Sequence, residues 1–132
     1  APIAQGRWLS FRARDGKDIQ AYLTLPPGAG PGSRPPLVVM AGEGPGVETR
    51  ASFDYMVQFL ASRGYAVLQP YHRGLWGFGD DFYEAGFGEW GGKMQTDLLD
   101  AVAAVAGEVD ARRPCIVGHD FGGYTALPAI AL

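Results

Sequence analysis

Three short, uninterrupted apolar runs set the plan of the chain: Leu37-Val38-Val39-Met40, Tyr65-Ala66-Val67-Leu68 and Cys115-Ile116-Val117. Runs of this kind are expected of strands covered on both faces in a parallel sheet. Helical spacings lie between them. Phe53, Met56, Val57 and Leu60 share one helical face, with Thr49 or Ser52 as candidate caps and Gly64 as a stop. Met94, Leu98, Ala101, Val102 and Val105 form the stripe of a second helix. A third is predicted from near Gly122 to Leu132, kinked or shortened by Pro128.

The period upstream is two. Ile19, Ala21, Leu23 and Leu25 alternate with Gln20, Tyr22 and Thr24. Trp8 to Ala13 and Lys17 to Leu25 flank Asp15-Gly16, a strong hairpin signal because glycine accepts positive φ. Pro26 to Pro36 has no period and predicts a surface connection. A hairpin followed by alternating strands and helices reads as a doubly wound, mostly parallel α/β sheet with right-handed crossovers.

Composition changes this picture little. The 132 residues suffice for one domain with a real core, and 20 Gly and 10 Pro place many turns between short elements. A net charge of -3 gives no sign of a nucleic-acid partner. No apolar run approaches the roughly 18 residues of a membrane helix. Ala1 to Ser10 has neither a basic start nor an apolar core, so no signal peptide is expected; an exported chain with its signal removed would read the same way, and localisation stays open. The lone Cys115 excludes an intramolecular disulfide and is expected to be a buried thiol. No cofactor is expected.

Two stretches concentrate candidate chemistry. Tyr71 to Gly92 is a long loop holding Trp76, Phe78, Phe82, Tyr83, Phe87 and Trp90. A loop this long is usually functional, although its aromatics can equally cover a sheet edge. The second is Cys115-Ile116-Val117-Gly118-His119-Asp120-Phe121-Gly122-Gly123-Tyr124. An apolar strand, a glycine-flanked polar residue and a helix start are the layout of a nucleophile elbow. The central residue should be Ser; here it is Asp120.

With these residues in view, the chain resembles the catalytic α/β-hydrolase domain of the prolyl oligopeptidase family of serine peptidases, on its acylaminoacyl-peptidase and dipeptidyl-peptidase side. Four runs carry the resemblance: Ala21 to Pro26, Phe59 to Pro70, Gly86 to Gln95 with its Gly-Glu-Trp-Gly-Gly-Lys-Met-Gln core, and the elbow. The resemblance reaches only the first part of the family's domain, so residues 1–132 are expected to be a single, truncated α/β-hydrolase-like domain. It implies peptide or ester substrates in the parent family and an oxyanion hole from the backbone N–H groups of Phe121 and Gly44. The residues themselves give no expectation of a metal or a membrane partner.

Three departures matter. Asp120 replaces the nucleophilic Ser. Gly42-Glu43-Gly44-Pro45 stands for the family's His-Gly-Gly-Pro, placing an acidic residue beside the hole. The triad order is nucleophile, acid, His, yet the twelve residues after Asp120 include no His, Asp or Glu. The expectation is a chain inactive by itself. Two alternatives stay open. One is a carboxylate nucleophile, since Gly-His-Asp-aromatic-Gly-Gly is also the elbow of epoxide hydrolases and dehalogenases. The other is a binding or assembly module using the old pocket. His72 is expected to be a loop hydrogen-bonder and His119 to point away from the substrate side. A metal site on His119, Asp120 and Glu43 has no supporting ligand spacing. The elbow strand is expected to be an exposed apolar edge that a second copy of the chain covers.

Overall fold

The period-two segment folds as its alternation predicts. In the computed structural model, which describes residues 3–48 and 52–131, β1 (Gly6–Arg12) runs antiparallel to β2 (Asp18–Thr24), with Trp8 opposite Tyr22. Gly16 takes the positive φ of the turn at 88°. β3 (Pro36–Ala41) and β4 (Ala66–Tyr71) are parallel, and β4 is antiparallel to β2. β5 (Asp110–Gly118) joins the other side of β3, giving the order β1-β2-β4-β3-β5. The register slips between Pro36 and Val38, which face Asp110 and Cys115. Pro114 lies in the slipped stretch of β5, where it has no N–H to give a ladder.

Helices cover both faces, as in a doubly wound sheet. α1 (Tyr55–Ser62) packs on β4. After α2 (Asp80–Glu84), α3 (Lys93–Val105) buries Met94, Leu98, Ala101 and Val105. Leu98, Ala101 and Val105 meet Leu23, Leu37, Val39 and Leu68 in the main core. Val38 and Val67 alternate to the α1 side and are also buried. α4 (Phe121–Ala126) leans on β5 and β3.

Several expectations need correction. The α1 cap is Asp54, whose Oδ1 accepts from the Met56 and Val57 N–H groups at 2.8 and 3.2 Å; Ser52 is not the cap, and Thr49 lies outside the described residues. A carboxylate binds these N–H groups while also complementing the positive helix end. The cap shifts the helix start, so α1 buries Val57 and Ala61, whereas Phe53 precedes it and is exposed. The Tyr71–Gly92 stretch contains α2, whose Phe82 plugs a small second cluster with Ala13, Ile19 and Leu75. The last helix ends at Ala126, and a 3-10 turn Pro128–Ile130 follows, since proline cannot continue the α ladder; Leu132 lies outside the described residues.

Cys115 is exposed, not buried. It pairs with Val38 and so faces the α1 side of the sheet, where α1 packs chiefly on β4. Among the described residues no helix is long and apolar enough to cross a membrane.

Candidate functional site

β5 ends at Gly118 and α4 begins at Phe121, leaving two residues to reverse the chain. Asp120 takes the bend at φ 50° and ψ -118°. This lies outside the left-handed helical well, which is itself rare for a side-chain-bearing residue. Neighbouring glycines make the bend possible. A Cβ on Gly118 would sit 2.1 Å from the Gly122 carbonyl oxygen, and one on Gly122 would sit 2.4 Å from that of Ala41. Strand and helix backbones are therefore in direct contact. Gly123 is less constrained, its Cβ meeting nothing closer than 3.6 Å. The Gly122 N–H donates to the His119 carbonyl at 2.8 Å, and buried Thr125 Oγ1 donates to the Gly122 carbonyl at 3.0 Å.

The Asp120 side chain stands out from this bend, 83% exposed. The His119 Nδ1 lies 3.2 Å from Asp120 Oδ2. Glu43 is exposed on the loop after β3. The two residues expected to supply backbone donors are adjacent, since a Cβ on Gly44 would meet Phe121 Cβ at 3.2 Å. Among the described residues no three His, Cys, Asp or Glu side chains cluster as metal ligands.

Aromatic rings surround Phe121. Trp90 approaches edge-on at 5.2 Å, Tyr124 lies at 5.6 Å and His72 at 6.0 Å between ring centroids. Trp90 is more than half exposed, so the long loop brings an aromatic shelf to the corner. A cleft of about 480 Å³ opens on the α1 side, lined by Met40, Glu43, Tyr55, Val117 and His119 among others.

The segment after β4 also holds a buried charged group that the sequence pattern did not single out. Arg73 follows β4 with its side chain only 4% exposed. Its Nη2 donates to Asp97 Oδ1 at 2.7 Å, and its Nη1 donates to Asp15 Oδ2 at 2.7 Å. Hydrogen bonding to both carboxylates pushes the guanidinium further up, and Arg73 holds the Asp15 carboxyl well below its usual range. One network thus ties the hairpin turn, the β4 loop and α3. A signal existed: position 97 is three residues from Met94 and four from Ala101, so an aspartate sits on the apolar stripe of α3 and needs a cation.

His72 is a loop hydrogen-bonder as expected, but a fully buried one. Its Nδ1 is 2.7 Å from the Arg73 carbonyl oxygen, and burial pushes its pKa down.

Comparison with known proteins gives a consistent answer. Residues 51–131 match the model of the prolyl oligopeptidase family. Dipeptidyl aminopeptidase BIII of Pseudoxanthomonas mexicana is 42% identical over 130 residues, which is 92% of this chain and 19% of that protein. Dipeptidyl peptidase family member 6 of Caenorhabditis elegans is 39% identical over 142 residues, 91% of this chain and 19% of its own length. A solved puromycin hydrolase superposes with a TM-score of 0.88 at 32% identity, covering 96% of this chain and 20% of the other. The chain therefore spans about a fifth of the length of the proteins it matches.

Proposed function

The chain belongs to the prolyl oligopeptidase family, and from that membership we propose that residues 1–132 form the nucleophile-corner part of a serine-peptidase-type α/β-hydrolase domain, with Asp120 in the nucleophile's place and no hydrolytic turnover by this chain alone. The observation that carries the reading is the backbone of Asp120, bent at φ 50° between β5 and α4, with an exposed carboxylate where a hydroxyl is needed. A carboxylate does not take part in the Ser–His proton transfer that opens acyl transfer. Its charge also opposes an oxyanion held by the Phe121 and Gly44 N–H groups. Residues 121–132 supply neither an acid nor a His. In a longer protein carrying this segment, peptide bonds and their ester surrogates are the substrates that the reading implies.

A second reading, Asp120 as a carboxylate nucleophile on a carbon electrophile, draws on the contact of its Oδ2 with His119. It requires a base borrowed from another chain to activate water for the second step. One experiment separates the two. The purified chain is offered a nitrophenyl ester, a peptidyl substrate and an epoxide, beside Asp120→Asn and Asp120→Ser. No turnover by any of the three proteins is expected. Turnover by the unsubstituted chain that Asp120→Asn abolishes would establish the second reading.

The sheet edge supplies the partner surface. β5 pairs only with β3 among the described strands, and Cys115 and Val117 on it are exposed. An unpaired apolar edge is a template for another chain, and a second copy of this chain covers it.

A further inference from the structure

His72 is 1% exposed, immediately after β4. Its Nδ1 faces the Arg73 carbonyl oxygen, which can only accept, so Nδ1 holds the proton of the neutral ring. Nε2 is then a bare lone pair. Among the described residues no hydrogen-bond partner reaches it, and a buried acceptor left unpaired is an unusual state that a donor or a proton relieves. The Glu43 main chain is near enough to favour a proton on the ring, though outside bonding geometry with Nε2. The ring also packs against Phe121. His72 thus lies near the Glu43 main chain and against the Phe121 ring.

We propose that His72 is a positioning residue for the Gly44 and Phe121 main chains, and that uptake of one proton at Nε2 resets their relative placement. The inference rests on the reading of those two N–H groups as paired donors. The proton comes from water. Nδ1–H stays on the Arg73 carbonyl while the new Nε2–H donates to the Glu43 carbonyl. That carbonyl shares a rigid peptide plane with the Gly44 N–H. Turning the one toward the ring re-aims the other.

The charges around the ring come from three elements. Arg73, on the same segment, is neutralised by Asp97 of α3 and Asp15 of the hairpin turn. Asp97 favours the protonated ring, burial opposes it, and Phe121 of α4 brings no charge. The Glu43 carboxylate is exposed.

Amide and ring NMR signals of the full 132-residue chain, followed from about pH 7.5 to about pH 4.5 across the ordinary histidine range, test this. The Gly44 and Phe121 amides are expected to move with the midpoint of the His72 ring. In His72→Phe, which keeps an aromatic against Phe121 but cannot titrate, the dispersed spectrum should persist and that step should vanish. His72→Gln should lose it too, whereas His119→Gln should retain it. A step that survives either His72 variant, a step lost in His119→Gln, or a His72 ring that stays neutral until the chain unfolds overturns the proposal. None of these outcomes depends on turnover, so discovery of hydrolytic activity would refute the reading of an inactive chain without touching this one.

Discussion

Arg73 and Asp97 are joined three times: the Arg73 main-chain N–H and Nε donate to Asp97 Oδ2 at 3.0 and 2.9 Å, and Nη2 donates to Oδ1 at 2.7 Å. Both side chains are almost fully buried. Removing one partner from such a pair strands a charge, at about 3–5 kcal/mol. Small domains have only about 5–15 kcal/mol in total. Asp97→Ala is therefore expected to lose a large share of the chain's stability, seen as a greatly lowered denaturation midpoint in circular dichroism. Asp97→Asn keeps the shape and leaves Arg73 its bond to Asp15, so it should fold with a lowered denaturation midpoint. An Asp97→Ala chain as stable as the parent would mean that the network contributes nothing.

The corner's glycines differ in what they tolerate. At Gly118 an added methyl would meet the Gly122 carbonyl oxygen at 2.1 Å, which neither backbone can absorb without moving. Gly118→Ala should lower stability by about 3 kcal/mol, the upper range for overpacking. Gly123 lies within α4 with ordinary clearance, so Gly123→Ala should be neutral or stabilising by up to about 1 kcal/mol from helix propensity. Urea melts of the two variants rank them, and similar midpoints would refute the close packing of strand and helix.

This contrast bears on what the sequence made legible. Glycines two places either side of Asp120 announced the bend because only a missing Cβ permits the approach, a local requirement written at one position. Hairpin and helix stripes were readable for the same reason, since each depends on a short period. Cys115 was misread because burial is set by what lies above a strand, and no pattern within Cys115-Ile116-Val117 records that α1 packs chiefly on β4. The Arg73 network joins residues 58 and 24 positions apart, beyond any local period. Asp97 on an apolar helical stripe was its one visible trace.

Asp120 bears the strain of the bend. Sparsely populated backbone conformations cost about 1–3 kcal/mol, and φ 50° with ψ -118° is one of them for a residue with a Cβ. Glycine adopts it freely. Asp120→Gly should raise the unfolding free energy by about 1 kcal/mol after the added chain entropy of glycine. A destabilised Asp120→Gly would mean that the carboxylate, through its contact with His119, outweighs the strain.

At the sheet edge, exposed Val117 on β5 should set the state of association. Light scattering of the chain at micromolar concentration is expected to give a dimer or larger species. Val117→Lys introduces the kind of charge that natural edges use to block pairing, and should shift the mass toward the monomer. A monomeric parent chain would remove the edge-pairing proposal.

Acid should weaken the fold in two windows with different owners. Burial lowers the folded pKa of His72 below its ordinary value of 6.5. As pH falls through 6.5 the unfolded chain takes up a proton at this residue while the folded chain resists it. The unfolded state then binds more protons, so stability falls from about pH 6.5 downward until the folded ring also titrates. Asp15 acts lower. Its hydrogen bonds to Arg73 hold the folded carboxyl below 3.8, so its stabilisation is present above that pH and is lost as the unfolded carboxyl protonates beneath it. Denaturation midpoints measured across pH should therefore decline in two stages. His72→Phe should flatten the stage beginning near 6.5 and leave the lower one, whereas Asp15→Asn should do the reverse. An upper stage that persists unchanged in His72→Phe would refute its assignment to His72.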